Sequence, residues 1–130
     1  MLAVDASAAY AYALSRDGYG RLREHGPVAP ALMWSEALSA LHETQWRGEE
    51  DADIVLAAIE RLLAAPIERI ASRELYAEAR RVSGMLGWAK TYNAEYLALA
   101  RLYDCCLLSL DIKLRRGARG MVTVIGPEEL

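Results

Sequence analysis

The chain has 130 residues, 54% of them hydrophobic and 25% charged, with a formal net charge of -3. That length is read as one ordinary domain over residues 1–130 with a single core, and the composition excludes a largely disordered chain. A negative net charge excludes coating of nucleic acid by bulk electrostatics, so any such contact must come from a local basic strip.

Met1 to Val4 is a short apolar run that ends abruptly at Asp5, the pattern of a buried strand with an acid at its exposed carboxyl end. Asp5 also interrupts the apolar N-terminus before a signal-peptide core could form, and no run approaches the ~20 residues of a bilayer span, so a cytoplasmic protein with no membrane contact is expected. The alanine- and tyrosine-rich stretch Ala6 to Leu14 predicts a helix that stops at Ser15-Arg16-Asp17-Gly18, with a short helix from Tyr19 to His25 after it. Gly26 to Pro30 reads as a brief strand, with Pro30 opening the next helix. That helix, Ala31 to about Trp46, carries Trp34, Leu38 and Leu41 as its core stripe and leaves Glu36 on the flank beside Met33 and Ala40.

The acidic turn from Glu49 to Asp53 suits a helix N-terminus. The helix it begins places Ile54, Ala58 and Leu62, with Ile59 and Leu63 offset by one, on a face expected to cover a sheet. Pro66 to Ile70 predicts a strand. Ser72 to Met85 predicts a helix with Leu75, Ala79 and Val82 inward, ending near Gly84 and Gly87. Thr91 is placed to cap a helix from Tyr92 to Tyr103 with Tyr96, Leu97, Ala100 and Tyr103 inward. A strand from Cys105 to Leu110, a basic turn, and a last strand from Val122 to Ile125 complete the chain. The adjacent Cys105 and Cys106 are poorly placed to bridge each other, which implies reduced thiols. Strands alternating with helices predict an α/β fold, a three-layer α/β/α sandwich on a mostly parallel sheet.

Leu108-Ser109-Leu110-Asp111 repeats the N-terminal design of an apolar run, a small polar residue and an aspartate. Ligands bind open α/β sheets at such carboxyl ends. Asp5 and Asp111 each have two readings, as helix N-caps or as carboxylates of one site. Glu36, a charge among apolar neighbours, wants a partner. Three carboxylates brought together would repel unless a cation neutralised them, and oxygen-only ligands suit Mg²⁺ or Mn²⁺. Ser7 and Ser109 can position water or a carboxylate, or simply finish strand ends. His25 and His42 suggest no relay to a serine.

Val4-Asp5-Ala6-Ser7, Pro30 followed by Ser35-Glu36 and Leu38 to Leu41, the block Thr91-Tyr92-Asn93-Ala94-Glu95-Tyr96-Leu97-Ala98-Leu99-Ala100, and Leu108 to Asp111 together resemble the PIN-domain ribonucleases, within these the VapC toxins of toxin-antitoxin pairs. The resemblance spans the chain in order. It implies a PIN-like, flavodoxin-like sheet and a Mg²⁺-dependent endoribonuclease, homodimeric and held in check by an antitoxin protein. By position the acidic site maps onto Asp5, Glu36, Asn93 and Asp111, with Asp5, Asp111 and Glu36 as metal ligands. Asn93 stands where the family has aspartate, which removes one negative charge from the site. The alternative is therefore a weakly active or non-catalytic PIN-like module that binds RNA or protein. Glu95, two helical residues from Asn93, lies roughly 200° round the axis and is no obvious replacement. Lys113, Arg115, Arg116 and Arg119 follow Asp111, either as an RNA-binding strip beside the acids or as an ordinary cationic helix end. Arg16, Arg21 and Arg23 join that rim if the first loop folds over it.

Overall fold

A computed structural model describes the whole chain, residues 1–130. Five strands, β1 (Leu2–Val4), β2 (Pro27–Pro30), β3 (Glu68–Ile70), β4 (Leu107–Leu108) and β5 (Val124–Ile125), form one sheet in the order β3-β2-β1-β4-β5. Every neighbouring pair is parallel. Parallel strands need long crossovers, and six helices supply them: α1 (Ala6–Leu14), α2 (Leu32–Trp46), α3 (Ala52–Leu63), α4 (Arg73–Leu86), α5 (Tyr92–Leu102) and α6 (Ile112–Gly117). The first three pack on one another, as do α4 and α5. Right-handed crossovers place the two groups on opposite faces, giving the expected three layers. β1 and β4 run through the centre and are fully buried, as apolar runs covered on both faces must be.

Chain order reverses between β1 and β4, because β2 and β3 lie to one side of β1 and β4 and β5 to the other. Val4 is in register with Leu108. The two acid-bearing strand ends are therefore neighbours at the crevice where ligands bind in folds of this kind.

Several elements depart from the sequence reading. Residues 16–22 form turns, and only Arg23–His25 makes a 3₁₀ turn, because Gly18 and Gly26 adopt positive φ (56° and 61°) that ends any regular helix. Pro30 closes β2 and does not open α2, which begins two residues later. On α2 the inward stripe is Met33, Trp34, Ala37 and Leu41, and Leu38 faces out. α3 buries Val55, Ala58 and Leu62 against α1 and α2, leaving Ile54 and Leu63 exposed. α4 matches its prediction, with Ser72 accepting from Leu75 N–H at 3.1 Å and Gly87 closing it at φ 71°. Thr91 makes no capping hydrogen bond, and Tyr103 lies outside the core. β4 is only two residues long, so Cys105 and Cys106 precede it as half-buried free thiols. The basic stretch expected as a turn is the helix α6. Gly117 suits its close approach to Trp88, since a Cβ would stand 2.9 Å from the ring and force it to shift.

Candidate functional site

Asp5 leaves β1 with extended backbone and N-caps α1, so both readings of this residue hold at once. Its Oδ1 accepts from Ala8 N–H at 3.0 Å and from the Ser7 hydroxyl at 2.7 Å, and its Oδ2 accepts from the Ser109 hydroxyl. Ser109 in turn accepts from Asp111 N–H at 3.0 Å, while Ser7 accepts from Leu110 N–H at 2.9 Å. Each hydroxyl has one proton, and both are given to Asp5, so the 3.4 Å approach of the two serines carries no further hydrogen bond. The serines therefore sew the end of β1 to the end of β4. Asp111 N-caps α6 through Oδ1 to Leu114 N–H at 3.1 Å, which leaves Oδ2 without a protein partner.

Asp5 is 3% exposed. Burial pushes its carboxyl above the ordinary range, its hydrogen bonds from Ser109, Ser7 and Ala8 pull the other way, and the charge of Asp111 pushes it further up. Glu36, half-buried on α2, accepts a hydrogen bond from the Tyr96 hydroxyl on α5. Burial raises it as well, opposed by Tyr96 and assisted by the charge of Asp5. Asp5 thus feels the charge of Asp111, and Glu36 feels that of Asp5; no Lys or Arg is among the charges acting on either.

Asn93 is exposed in the first turn of α5 and lines a cleft of ≈ 570 Å³ together with Glu36, Trp88, Lys90 and Tyr92. Asp111 and Ser109 line a smaller depression of ≈ 160 Å³ with Arg115 and Glu128. Arg115 is paired to Glu129 at 3.1 Å, whereas Lys113 and Arg116 are exposed and make no ion pair. Arg16, Arg21 and Arg23 do not join this rim. Helix α1 carries the chain away from Asp5, and the loop that follows leads into the beginning of β2, at the opposite end of the strands.

Two residues were missed. Tyr96 was read only as core, although its hydroxyl fixes Glu36. Glu95 is 8% exposed, and its carboxyl is raised by burial and then by the charge of Glu36. The available signal was the rest of its helix, since everything from Ala94 to Ala100 is buried and α5 has no solvent face there.

The donors at this end are carboxylate and hydroxyl oxygens, which suit a hard divalent cation. No three His, Cys, Asp or Glu side chains converge closely enough to form a protein cage for a metal ion. A cation of the Mg²⁺ type does not need one, because it characteristically takes one or two carboxylates and keeps its waters. The repulsion of Asp111 on the buried Asp5, and of Asp5 on Glu36, would be relieved by such a charge, so the oxygen donors fit it as an open site.

No protein-family model matches the sequence. No curated protein matches it either. Solved structures do: PAE2754 from Pyrobaculum aerophilum superposes with a TM-score of 0.77 at 26% identity, covering 98% of this chain and 90% of that one. A toxin-antitoxin complex from Klebsiella pneumoniae gives 0.62 at 14% identity over 96% of both chains. FitAcB from Neisseria gonorrhoeae gives 0.53 at 16% identity over 100% of both. Together with the parallel sheet and its six helices, these likenesses establish the fold as the PIN-like three-layer α/β/α sandwich.

Proposed function

We propose that the chain is a Mg²⁺- or Mn²⁺-dependent endoribonuclease acting as the toxin of a toxin-antitoxin pair. The observation that carries this reading is the meeting of Asp5 and Asp111 at the switch point, tied through Ser109, with Glu36 within electrostatic reach of Asp5 and no Lys or Arg among the charges acting on Asp5 or Glu36. Asp5 and Asp111 would hold the ion. A bound divalent cation polarises a scissile phosphate and lowers the pKa of water, the chemistry needed for in-line hydrolysis of RNA.

Ser7 and Ser109 fix both oxygens of Asp5, so its orientation is set before any ligand arrives. Tyr96 does the same for Glu36 through Oε1. The other oxygen of Glu36 is left to orient a water and take its proton, a role that a raised carboxyl performs better than an ordinary one. Lys113 and Arg116, just beyond Asp111, offer phosphate contacts that offset the acidic mouth. An antitoxin partner is supported by the likeness to the Klebsiella pneumoniae toxin-antitoxin complex. A homodimer is in keeping with exposed apolar side chains such as Trp46 on α2, 83% exposed. No helix is long and apolar enough to cross a membrane, in keeping with a cytoplasmic site of action.

A second reading rests on Asn93. Where the family carries an aspartate this chain presents an amide on the cleft shared with Glu36, and an RNA- or protein-binding module of low activity follows if that charge is indispensable. Cleavage of RNA by the purified protein decides between them. Metal-dependent cutting that EDTA stops, and that Asp5→Ala and Asp111→Ala each reduce at least about a hundredfold, supports the nuclease. Variants that cut as well as wild type would remove the proposed chemistry.

A further inference from the structure

We infer a second phosphate-binding site, at the end of the sheet opposite the acids, that holds the sugar-phosphate backbone of RNA beyond the point of cutting. The inference rests on the nuclease reading for its ligand and on separate residues for its geometry. Helix α1 starts at Asp5 and runs nine residues, about 14 Å, away from the site. The loop that follows carries Arg16, Arg21 and Arg23, and α3 ends beside it with Arg61. Arg16, Arg23 and Arg61 line one cleft of ≈ 360 Å³ with Asp17, Gly18 and Tyr19.

The cleft has fixed walls. Arg61 donates to the carbonyl of Ala13 and is thereby held against the end of α1, and Tyr19 donates to the carbonyl of Ala9 at 2.7 Å. Behind it the Tyr12 ring lies 6.4 Å from that of Tyr19. The Tyr12 hydroxyl is the one buried side-chain polar atom without a hydrogen-bond partner. None of the four arginines makes an ion pair, although Arg47, Arg81, Arg101 and Arg115 all do. Asp17 is the one acid lining the cleft. Three guanidinium groups against one carboxylate leave the lining with an excess of two positive charges on a chain whose net charge is -3.

Guanidinium forks match phosphate geometry, and a polyanion that also touches Lys113 and Arg116 binds through both ends of the molecule at once. A protein partner fits less well. Only two of the nine lining residues are hydrophobic, and protein interfaces draw their energy from apolar and aromatic anchors.

The test compares wild type with Arg16→Glu/Arg23→Glu, two exposed positions outside the core. Binding of labelled single-stranded RNA is followed by fluorescence anisotropy in EDTA over a series of salt concentrations, using a tetranucleotide and a strand several times longer. Circular dichroism and a thermal melt establish that both proteins are folded. The long strand should bind the variant at least about tenfold more weakly, with a salt slope smaller by about 1.4, the share of two single-strand phosphate contacts. The tetranucleotide, which gains little from engaging both ends at once, should lose less affinity than the long strand. Long-strand affinity and slope within twofold of wild type would overturn the site while leaving the nuclease reading intact. So would selective loss of binding to polyglutamate, which would make the patch a protein interface. If neither protein binds RNA of any length, this site and the proposed function fall together.

Discussion

Ser109→Ala removes the hydroxyl that joins the two central strand ends, and its cost follows from what that hydroxyl touches. It donates to Asp5 Oδ2, a buried charged acceptor, and it accepts from Asp111 N–H at 3.0 Å. A hydrogen bond to a charged group contributes about 1.5–3 kcal/mol and a neutral one about 0.5–1.5 kcal/mol. Water can replace part of the second, because Asp111 is half-exposed, but little of the first, because Asp5 is buried. The expected loss is about 2–3 kcal/mol. At ~2.1 cal/mol/K per residue, unfolding 130 residues carries an entropy near 0.27 kcal/mol/K, so Tm should fall by about 7–11 °C. Ser7→Ala loses a donor on the same carboxylate, but its other partner, the Leu110 amide, sits in an exposed setting. It should lose about half as much. Because the Ser109 bond favours the charged form of Asp5, the loss should be larger at pH 7 than at pH 4. A Tm drop under about 3 °C, or equal losses in the two serine variants, would refute the view that Ser109 is the tie across the switch point.

Three other perturbations bear on the site. Asp5 and Glu36 have folded-state carboxyls raised above their ordinary values of 3.8 and 4.5; their stabilising contribution is complete below those values and is lost as pH rises through the raised ones. In EDTA the stability of wild type relative to Asp5→Asn should therefore fall on going from pH 4 to pH 7, and millimolar Mg²⁺ should restore it at pH 7; a difference flat in pH and indifferent to Mg²⁺, measured by urea unfolding, excludes an uncompensated acidic site. Asn93→Asp should raise RNA cleavage less than about tenfold if the site already holds enough charge for its ion, and a rise of several hundredfold would mark the natural protein as a crippled nuclease. Glu129→Gln should tighten RNA binding at low salt by releasing Arg115 from its ion pair beside Asp111; unchanged affinity in a salt titration would mean that Arg115 takes no part in holding RNA.

Much of the fold was legible because parallel, doubly covered strands read as short apolar runs, and Leu2 to Val4 followed by Asp5 is such a run with a sharp end. The extent of β4 was not. The apolar character of Cys105 to Leu110 continues past both ends of the pairing, and only the neighbouring strands decide that Leu107 and Leu108 alone are in the ladder. Helical stripes were right where one face meets the core, as on α4, and only partly right on α2 and α3, which pack against several elements at once: Trp34, Leu41, Ala58 and Leu62 are buried, whereas Leu38, Ile54 and Leu63 face out. Glu95 was misjudged for a related reason. Its angle from Asn93 was sound, but on a helix buried on nearly all sides that angle points to another interior surface and not to water. The place of the arginines after α1 was left conditional on the fold of the first loop, because no local pattern records which way a crossover carries the chain.

Glu95 also changes what the asparagine at 93 means. Counting only the positions that carry the PIN-domain resemblance, the sequence offers three carboxylates and an amide, Asp5, Glu36, Asp111 and Asn93. Glu95 raises the local count to four, since the charge of Glu36 acts on it through the packing of α5 against the rest of the site. A further aspartate at 93, on the cleft that Glu36 lines, would add a fifth like charge to carboxyls that burial and mutual repulsion already push upward. Such repulsion is tolerable only to the extent that a cation is bound, and it lowers the stability of the metal-free fold in proportion. An amide at 93 keeps an oxygen that can accept or coordinate while removing that penalty. Asparagine there is thus compatible with a working site, and its presence alone does not argue for a dead one.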